Sequence, residues 1–370
     1  MVSFYGDAQT SVKLKKEIEV KAMRKINMLS SADKVKGQGV GSAYIEQVNL
    51  VREGLKDEYM VMVNEKKAAE IMHYHTIDLK HYFKSIVGKK GANVGYVHFL
   101  PETVDGSVKI PPGFKDIFYK YIIAFYKQMD YLVTVNPCFI EKLMAYGIER
   151  EKIFYIPNYV SDEKFYPMNK GEINQIRENY GLKADDFVVL GVGQIQTRKG
   201  VLDFIEVAKA LPQVQFVWAG GFSFGKITDG YDELKKIVDN PPKNVKFLGI
   251  IDRTQMNSIY NMADLLFMPS YNELFPMAIL ETMNCHRPML LRDLELYEDI
   301  LKGYYLKGSS NADFVKEIQN LSDKSKYYTR AQELSKNGAK FYSRAYVLEL
   351  WQDFYDMVYK EKVVKLDEKQ

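Results

Sequence analysis

The chain is poor in cysteine and histidine: two Cys and five His in 370 residues. Cys138 and Cys285 are far apart and show no paired spacing. That excludes a disulfide framework and a cysteine-based zinc site, and it suits a reducing cytoplasm. No run approaches the roughly 18 apolar residues of a membrane-spanning helix. The first 22 residues have no apolar core of the kind a secretory leader needs. The segment from Val12 to Ala22 reads as a short helix, a mobile arm, or an extension upstream of a start at Met23. There is no short-period repeat and no low-complexity tract. Charge of either sign is nearly balanced. Residues 1–160 hold 23 Lys and Arg against 18 Asp and Glu, and the remainder 28 against 30. An excess that slight argues against a nucleic-acid partner.

What the chain has is length, apolar content and aromatics. At 370 residues, with 46% hydrophobic residues, it exceeds one ordinary core, and two domains are expected. Short apolar runs alternate with amphipathic stretches, the pattern of parallel sheets covered by helices. The first half predicts strands at 25–29, 59–63, 70–74, 94–98, 131–135 and 153–156. Helices are expected at 41–56, 78–87, 114–128 and 137–146. A seam follows, from Pro157 through Asp162 to Tyr166-Pro167. The pattern then restarts, with strands at 187–192, 214–219, 245–248, 265–268 and 288–291. Helices are expected near 200–210, 230–239, 254–262, 276–284 and 310–321, then 324–338 and 345–361. The expected architecture is α/β, with two doubly wound domains (1–165 and 166–344) whose strand ends face each other across a cleft.

The chemistry-bearing residues cluster where those strands would end. Glu273 and Glu281 bracket the seven residues Leu274 to Leu280 after a predicted strand. Pro276 falls where a first helical turn would begin. If all helix, the run would hold its carboxylates about 12 Å apart, at ~1.5 Å per residue. A retaining glycosidase needs roughly 5–5.5 Å, so gripping two parts of one elongated ligand fits better. A surface glutamate at each end of a buried helix would give the same spacing. Gly193-Gln194-Ile195-Gln196-Thr197-Arg198-Lys199-Gly200 also leaves a strand and enters a helix. Adjacent Arg and Lys there suit a diphosphate, without the Walker pattern of an NTPase. Gly37-Gln38-Gly39-Val40-Gly41 is the matching loop of the first half, but its spacing is not the dinucleotide fingerprint. A solvated basic loop and a plain tight turn are the rival readings of these two segments. His98 closes a strand and points at the cleft, either to meet a hydroxyl or as a structural imidazole. His73 and His75 share a strand face with no further ligands nearby, so a zinc site is disfavoured. Two stretches mix lysine with aromatic residues. One carries Lys80, Lys84, Lys89 and Lys90 among Leu79, Tyr82, Phe83, Ile86 and Val87. The other carries Lys115 and Lys120 among Phe114, Phe118, Tyr119 and Tyr121. Such helices suit an anionic membrane surface, or a core face backed by a solvated one.

In their order, these motifs resemble the family 4 glycosyltransferases of GT-B fold, from about Met23 to the last helix. The likeness rests on Glu273 to Glu281, Gly193 to Gly200, Ala219-Gly220-Gly221, Val245 to Gly249, and the early glycine loop. Within that family the chain is most similar to bacterial glycolipid synthases that extend diacylglycerol or its monohexoside. Ile26 to Asp33 and Val97 to Glu102 carry that closer likeness. The resemblance implies retaining transfer of glucose or galactose from a UDP-sugar to a glycolipid. The enzyme would rest on the cytoplasmic face of the membrane, with no obligate metal and no other cofactor. It implies that Arg198 and Lys199 neutralise the leaving diphosphate, Glu281 takes the ribose, and Glu273 holds the hexose. Backbone N–H groups around Leu274, Phe275 and Met277 would line the sugar. Ile250 or Ile251 would lie near the base. Gly193 would sit at the phosphates, Gly39 and Gly41 would let the donor or acceptor come close, and His98 would stand beside the reacting centre. The last helix would cross back onto the first domain. Gln194 departs from the family, where many relatives carry Arg. Polyprenyl-linked or soluble glycan acceptors, and a binding module without catalysis, are the alternatives.

Overall fold

The computed structural model describes residues 23–32, 39–87, 91–101, 113–223 and 225–364. Gly37, Lys89, Lys90, Glu102 and the leading segment lie outside the described residues. The first sheet contains β1 (Arg24–Leu29), β2 (Tyr59–Val63), β3 (Ile71–Tyr74), β4 (Ala92–Val97), β5 (Tyr131–Thr134) and β6 (Ile153–Tyr155). The second contains β7 (Val188–Val192), β8 (Gln215–Ala219), β9 (Val245–Gly249), β10 (Leu265–Met268), β11 (Met289–Arg292) and β12 (Leu306–Gly308). The helices of the first part are α1 (Gly39–Gly54), α2 (Leu79–Val87), α3 (Phe114–Lys127) and α4 (Cys138–Ala145). Then come α5 (Lys170–Asn179), α6 (Val201–Ala210), α7 (Tyr231–Asp239), α8 (Met256–Met262) and α9 (Met277–Asn284). The chain closes with α10 (Glu295–Leu301), α11 (Asn311–Ser322), α12 (Lys326–Phe341) and α13 (Arg344–Val358).

Both sheets are parallel. Strands such as β3, β4 and β10 are buried along their whole length, because helices cover both faces. The strand orders are β2-β1-β3-β4-β5-β6 and β12-β11-β10-β7-β8-β9. Each order reverses direction once, between β1 and β3 and between β7 and β10. At such a point the flanking connections diverge, and the carboxyl ends of the strands open into a crevice. This is the two-domain doubly wound architecture expected from the alternation of elements. One apolar cluster joins the halves, running from Ile26 and Val94 to Leu190 and Leu266 and on to Trp351.

α13 packs on the first sheet. Tyr355 Oη lies 2.8 Å from His73 Nδ1, and Tyr59 donates to Asp356 at 2.6 Å. Three short elements, α5, α10 and β12, are absent from the sequence-based expectation. α5 lies in the seam and is too polar to show an apolar stripe. A capping box, Asn169 with Glu172, starts it, and Arg177 anchors it to Asp264 at 2.9 Å.

Candidate active site

A close backbone passage shapes the second domain's side of the cleft. Gly193 follows β7 and Gly220 follows β8, and a Cβ on Gly220 would stand 1.9 Å from the Gly193 carbonyl oxygen. Only glycine permits that crossing, at a φ of 141°. The chain then turns through a 3₁₀ turn, Thr197–Lys199, before α6. The loop after β10 carries Glu273, and α9 begins at Met277 with Pro276 as its cap. The glutamate run is therefore half loop and half helix, and Pro276 stands one residue before the position expected for it.

The switch point between β7 and β10 brings both loops together. Lys199 Nζ lies 2.5 Å from Glu273 Oε1, and Arg198 Nη1 lies 3.4 Å from Oε2. Arg198 also donates to the Asn272 carbonyl at 2.9 Å. Burial alone would raise the Glu273 carboxyl, but Lys199 and then Arg198 outweigh it and hold it below the ordinary carboxylate range. Burial also pulls the Lys199 ammonium down, with Glu273 opposing. Outside this trio, Arg292 braces the loop. It donates to the Pro269 carbonyl and to Asp203, each at 3.0 Å, and covers the Tyr271 ring at 4.1 Å.

Glu281 lies one helix turn into α9, buried, with both oxygens engaged. Arg253 Nη1 reaches Oε1 at 2.6 Å, and Tyr260 donates to Oε2 at 2.5 Å. The same guanidinium reaches Glu46 on α1 at 3.1 Å. Ile250 is exposed on the cleft wall, with Ile251 beside it.

Across the cleft, His98 follows β4 and is buried. Burial pulls its imidazole down to about 3, so it is neutral. Its Nε2 has no hydrogen-bond partner. The two described glycines of the early loop differ. A Cβ on Gly39 would meet nothing within 4 Å, whereas one on Gly41 would press to 2.8 Å from the Ala32 carbonyl oxygen. Gly41 is thus pinned by packing and Gly39 leaves room beside it, and both line the cleft. Both already belong to the first turn of α1. Two asparagines of the first domain hold the loop that follows β10 in the second. Asn136 donates to the Leu274 carbonyl at 3.0 Å, and Asn158 to the Phe275 carbonyl at 2.9 Å.

The cleft between the domains has a volume of about 830 Å³. His98, Gly39, Gly193, Arg198, Lys199 and Glu273 line it, and so do Leu274, Phe275, Met277, Ile250 and Glu281. Sequence reasoning missed Asn136, Asn158, Arg253, Tyr260 and Arg292. Their partners lie 17 to 207 positions away, so no local pattern marks them.

Comparison with known proteins gives this cleft a lineage. Residues 172–341 match the family described as glycosyl transferases group 1. The α-galactosylglucosyldiacylglycerol synthase of Streptococcus pneumoniae is 46% identical over 340 residues, covering 92% of this chain and 91% of that one. The chain belongs to the group 1 glycosyltransferases. The processive diacylglycerol α-glucosyltransferase of Acholeplasma laidlawii is 31% identical over 206 residues, 55% of this chain and 61% of that one. In fold, this glycosyltransferase matches HepE of Anabaena, solved with UDP and glucose, at a TM-score of 0.70 and 14% identity over 90% of this chain and 99% of the other. Sucrose-phosphate synthase of Thermosynechococcus elongatus matches at 0.71 and 16% identity over 91% and 99%.

The lysine helices of this glycosyltransferase differ from a core-facing arrangement. α2 buries His81 and Ser85, while Leu79, Phe83 and Val87 point outward with Phe114 and Ile117 of α3, all 62–85% exposed. Tyr82 packs on Tyr121 with ring centroids 5.7 Å apart, so α2 and α3 form one surface. Lys80 and Lys120 are exposed on it, Lys115 lies over the Tyr119 ring at 5.4 Å, and Lys84 donates to the Glu65 carbonyl at 2.9 Å. Among the described residues no helix is long and apolar enough to cross a membrane. No group of three His, Cys, Asp or Glu side chains among them could hold a metal ion.

Proposed function

We propose that this glycosyltransferase moves glucose or galactose from a UDP-sugar to a glycolipid acceptor, with retention. The acceptor class is glucosyl-diacylglycerol or diacylglycerol, and the enzyme works while resting on the inner face of the cell membrane. The observation that carries the reading is the likeness to a galactosylglucosyl-diacylglycerol synthase along nine-tenths of both chains. The outward apolar and basic face of α2 and α3 supports it, because an acceptor embedded in a bilayer must be met at the bilayer.

In this reading the pair Arg198 and Lys199 takes the diphosphate as it leaves. Two fixed cations, Lys199 buried and Arg198 partly so, stabilise the developing charge, the part a metal plays in other transferases. Glu273 turns from Lys199 toward hydroxyls of the hexose, and N–H groups around Leu274, Phe275 and Met277 line the sugar. Glu281 takes the ribose hydroxyls, Ile250 borders the base, and Gly39 leaves space for the acceptor. His98, neutral and with Nε2 unpartnered, hydrogen-bonds a sugar hydroxyl beside the reacting carbon. No cofactor beyond the UDP-sugar and no nucleic acid enters.

The test is product mass spectrometry with purified protein, UDP-glucose or UDP-galactose, and vesicles holding diacylglycerol or its glucoside. A hexosylated lipid, formed by wild type and lost in Glu273→Ala and Arg198→Ala, is expected. Product only from polyprenyl-linked or soluble glycans would reject the lipid acceptor. Equal turnover by both variants would reject the site.

A further inference from the structure

Glu46 has a place in the structure that neither packing nor catalysis explains. It lies on α1, in the first domain, and is only 1% exposed. Ser42, Ala43 and Ile45 of the same helix line the cleft, but Glu46 does not. A buried carboxylate is costly to keep unless it is paired and hydrogen-bonded. Glu46 meets that condition with groups from outside its own domain's sheet. Lys164 reaches Oε1 at 3.3 Å and the Ser161 N–H reaches Oε2 at 3.3 Å, both from the seam. Arg253, which follows β9 of the second domain, reaches Oε1 at 3.1 Å. The other arm of that guanidinium binds Glu281 at 2.6 Å, and its plane lies over the Phe165 ring at 5.1 Å.

We propose that Glu46 and Arg253 form a clip across the cleft that ties closure of the two domains to the orientation of Glu281. Arg253 is then a positioning residue for the nucleotide. The inference rests on the reading above in which Glu281 takes the ribose hydroxyls.

The geometry says why one arginine serves. A guanidinium presents its donors in a rigid planar fork, so two carboxylates bound to it are fixed relative to each other. Glu281 Oε2 is held within its own domain by Tyr260, and Oε1 is held by Arg253. Both anchors together fix the plane of the carboxylate. If the domains part, Glu46 keeps Lys164 and Ser161, and Arg253 loses one of its two anions. Its fork is then free to turn, and Glu281 keeps only the Tyr260 bond as a firm reference. A nucleotide that needs Glu281 in one orientation favours the clipped state, and the clip favours the nucleotide by the same factor.

The test uses the full-length protein and calorimetric titration with UDP and with 2′,3′-dideoxy-UDP, which lacks the ribose hydroxyls. Wild type is expected to prefer UDP, and Glu281→Gln to lose that preference. Glu46→Gln is isosteric and touches no ligand, yet it is expected to weaken UDP about 5- to 150-fold, the usual range of coupling between sites. Arg253→Lys keeps the charge and loses the fork, and a similar loss is expected. In turnover, KM for the UDP-sugar should rise more than kcat falls. The double variant should lose no more than the worse single one. If Glu46→Gln binds UDP like wild type while Glu281→Gln has lost its preference, the clip is wrong and the ribose reading stands. Losses that multiply in the double variant also overturn the clip. If wild type does not distinguish the two nucleotides, the ribose reading fails, and the clip fails with it. Should Glu46→Gln not fold, Arg253→Lys, at a side chain 29% exposed, carries the same test.

Discussion

Lys199 and Glu273 share one buried contact at 2.5 Å, so a change to either exposes the charge of the other. Lys199→Ala leaves Glu273 with Arg198 and the Ser270 side chain, and in the proposed function it removes one of the two cations offered to the diphosphate. Removing a single preorganised donor from developing charge costs on the order of 10²–10³ in turnover. That fall is expected for Lys199→Ala in a UDP-release assay, with a modest drop in Tm from the carboxylate left behind. Turnover within a few-fold of wild type would put the phosphates elsewhere. His98 calls for the opposite pairing of effects. Its Nε2 has no partner in the fold, so His98→Phe removes a buried polar atom that nothing satisfies. Stability should hold or rise in thermal melting. Activity should fall about 10- to 100-fold, the value of one lost hydrogen bond to the sugar at roughly 1–3 kcal/mol. A variant both less stable and fully active would make His98 structural. Lys199 was visible in sequence beside Gly200, His98 at a strand end, and Glu273 through its spacing to Glu281. Asn136 and Asn158 were not, since their worth lies in carbonyls 138 and 117 positions away.

At the level of elements, α2 shows what periodicity tells and what it leaves open. Leu79, Phe83, Ile86 and Val87 recur at helical spacing, and the helix forms over Leu79–Val87. The spacing does not say which face meets the core. Here the polar pair His81 and Ser85 goes inward, and the large apolar residues Leu79, Phe83, Ile86 and Val87 go out. Serine at Phe83 and Val87 is therefore expected to leave Tm unchanged and to release the protein from vesicles rich in anionic lipid. Neutralising Lys80 and Lys84 to Gln should weaken the same binding by about fivefold per lysine, or ~1 kcal/mol each, and only at low salt. Co-sedimentation with vesicles decides it, and binding that survives both changes rules out this face. The long strands were legible within two residues, because burial on both faces leaves unbroken apolar runs, and the long helices within three. α5, α10 and β12 were not. A capping box and an ion pair fix α5, and these mark the end of an element more than its body, while α10 and β12 are too short to show a period.

For the whole molecule, the closing helix and the first sheet enclose a column of imidazoles. His73 and His75 lie with ring centroids 4.3 Å apart, and His98 stands 5.8 Å from His75 at the cleft wall. Trp351 and Tyr355 of α13 cover His73, at 5.5 and 5.9 Å. Both ring nitrogens of His75 lack partners. Burial pulls His73 and His98 from 6.5 down to about 3, and His75 well below its ordinary value. Between those values the unfolded chain binds more protons than the fold, so stability rises with pH there. The contribution is complete above pH 6.5 and drains away as pH falls toward 3. Each histidine adds a slope of ~1.4 kcal/mol per pH unit inside the window, so three give about 4 kcal/mol between pH 7.5 and 5.5. Glu273 and Asp78, whose values are lowered in the fold, contribute stability that is lost only below the ordinary carboxylate range, so the upper part of this window belongs to imidazole. Urea unfolding at pH 7.5 and 5.5 measures it directly. His75→Phe, a ring without titration at a place where no hydrogen bond is lost, should shrink the difference by about 1.4 kcal/mol, one histidine's share, with His81 and His286, also lowered in the fold, still contributing. An unchanged difference in that variant, or a flat profile in wild type, would mean that the column takes up protons inside the fold and that α13 does not seal it.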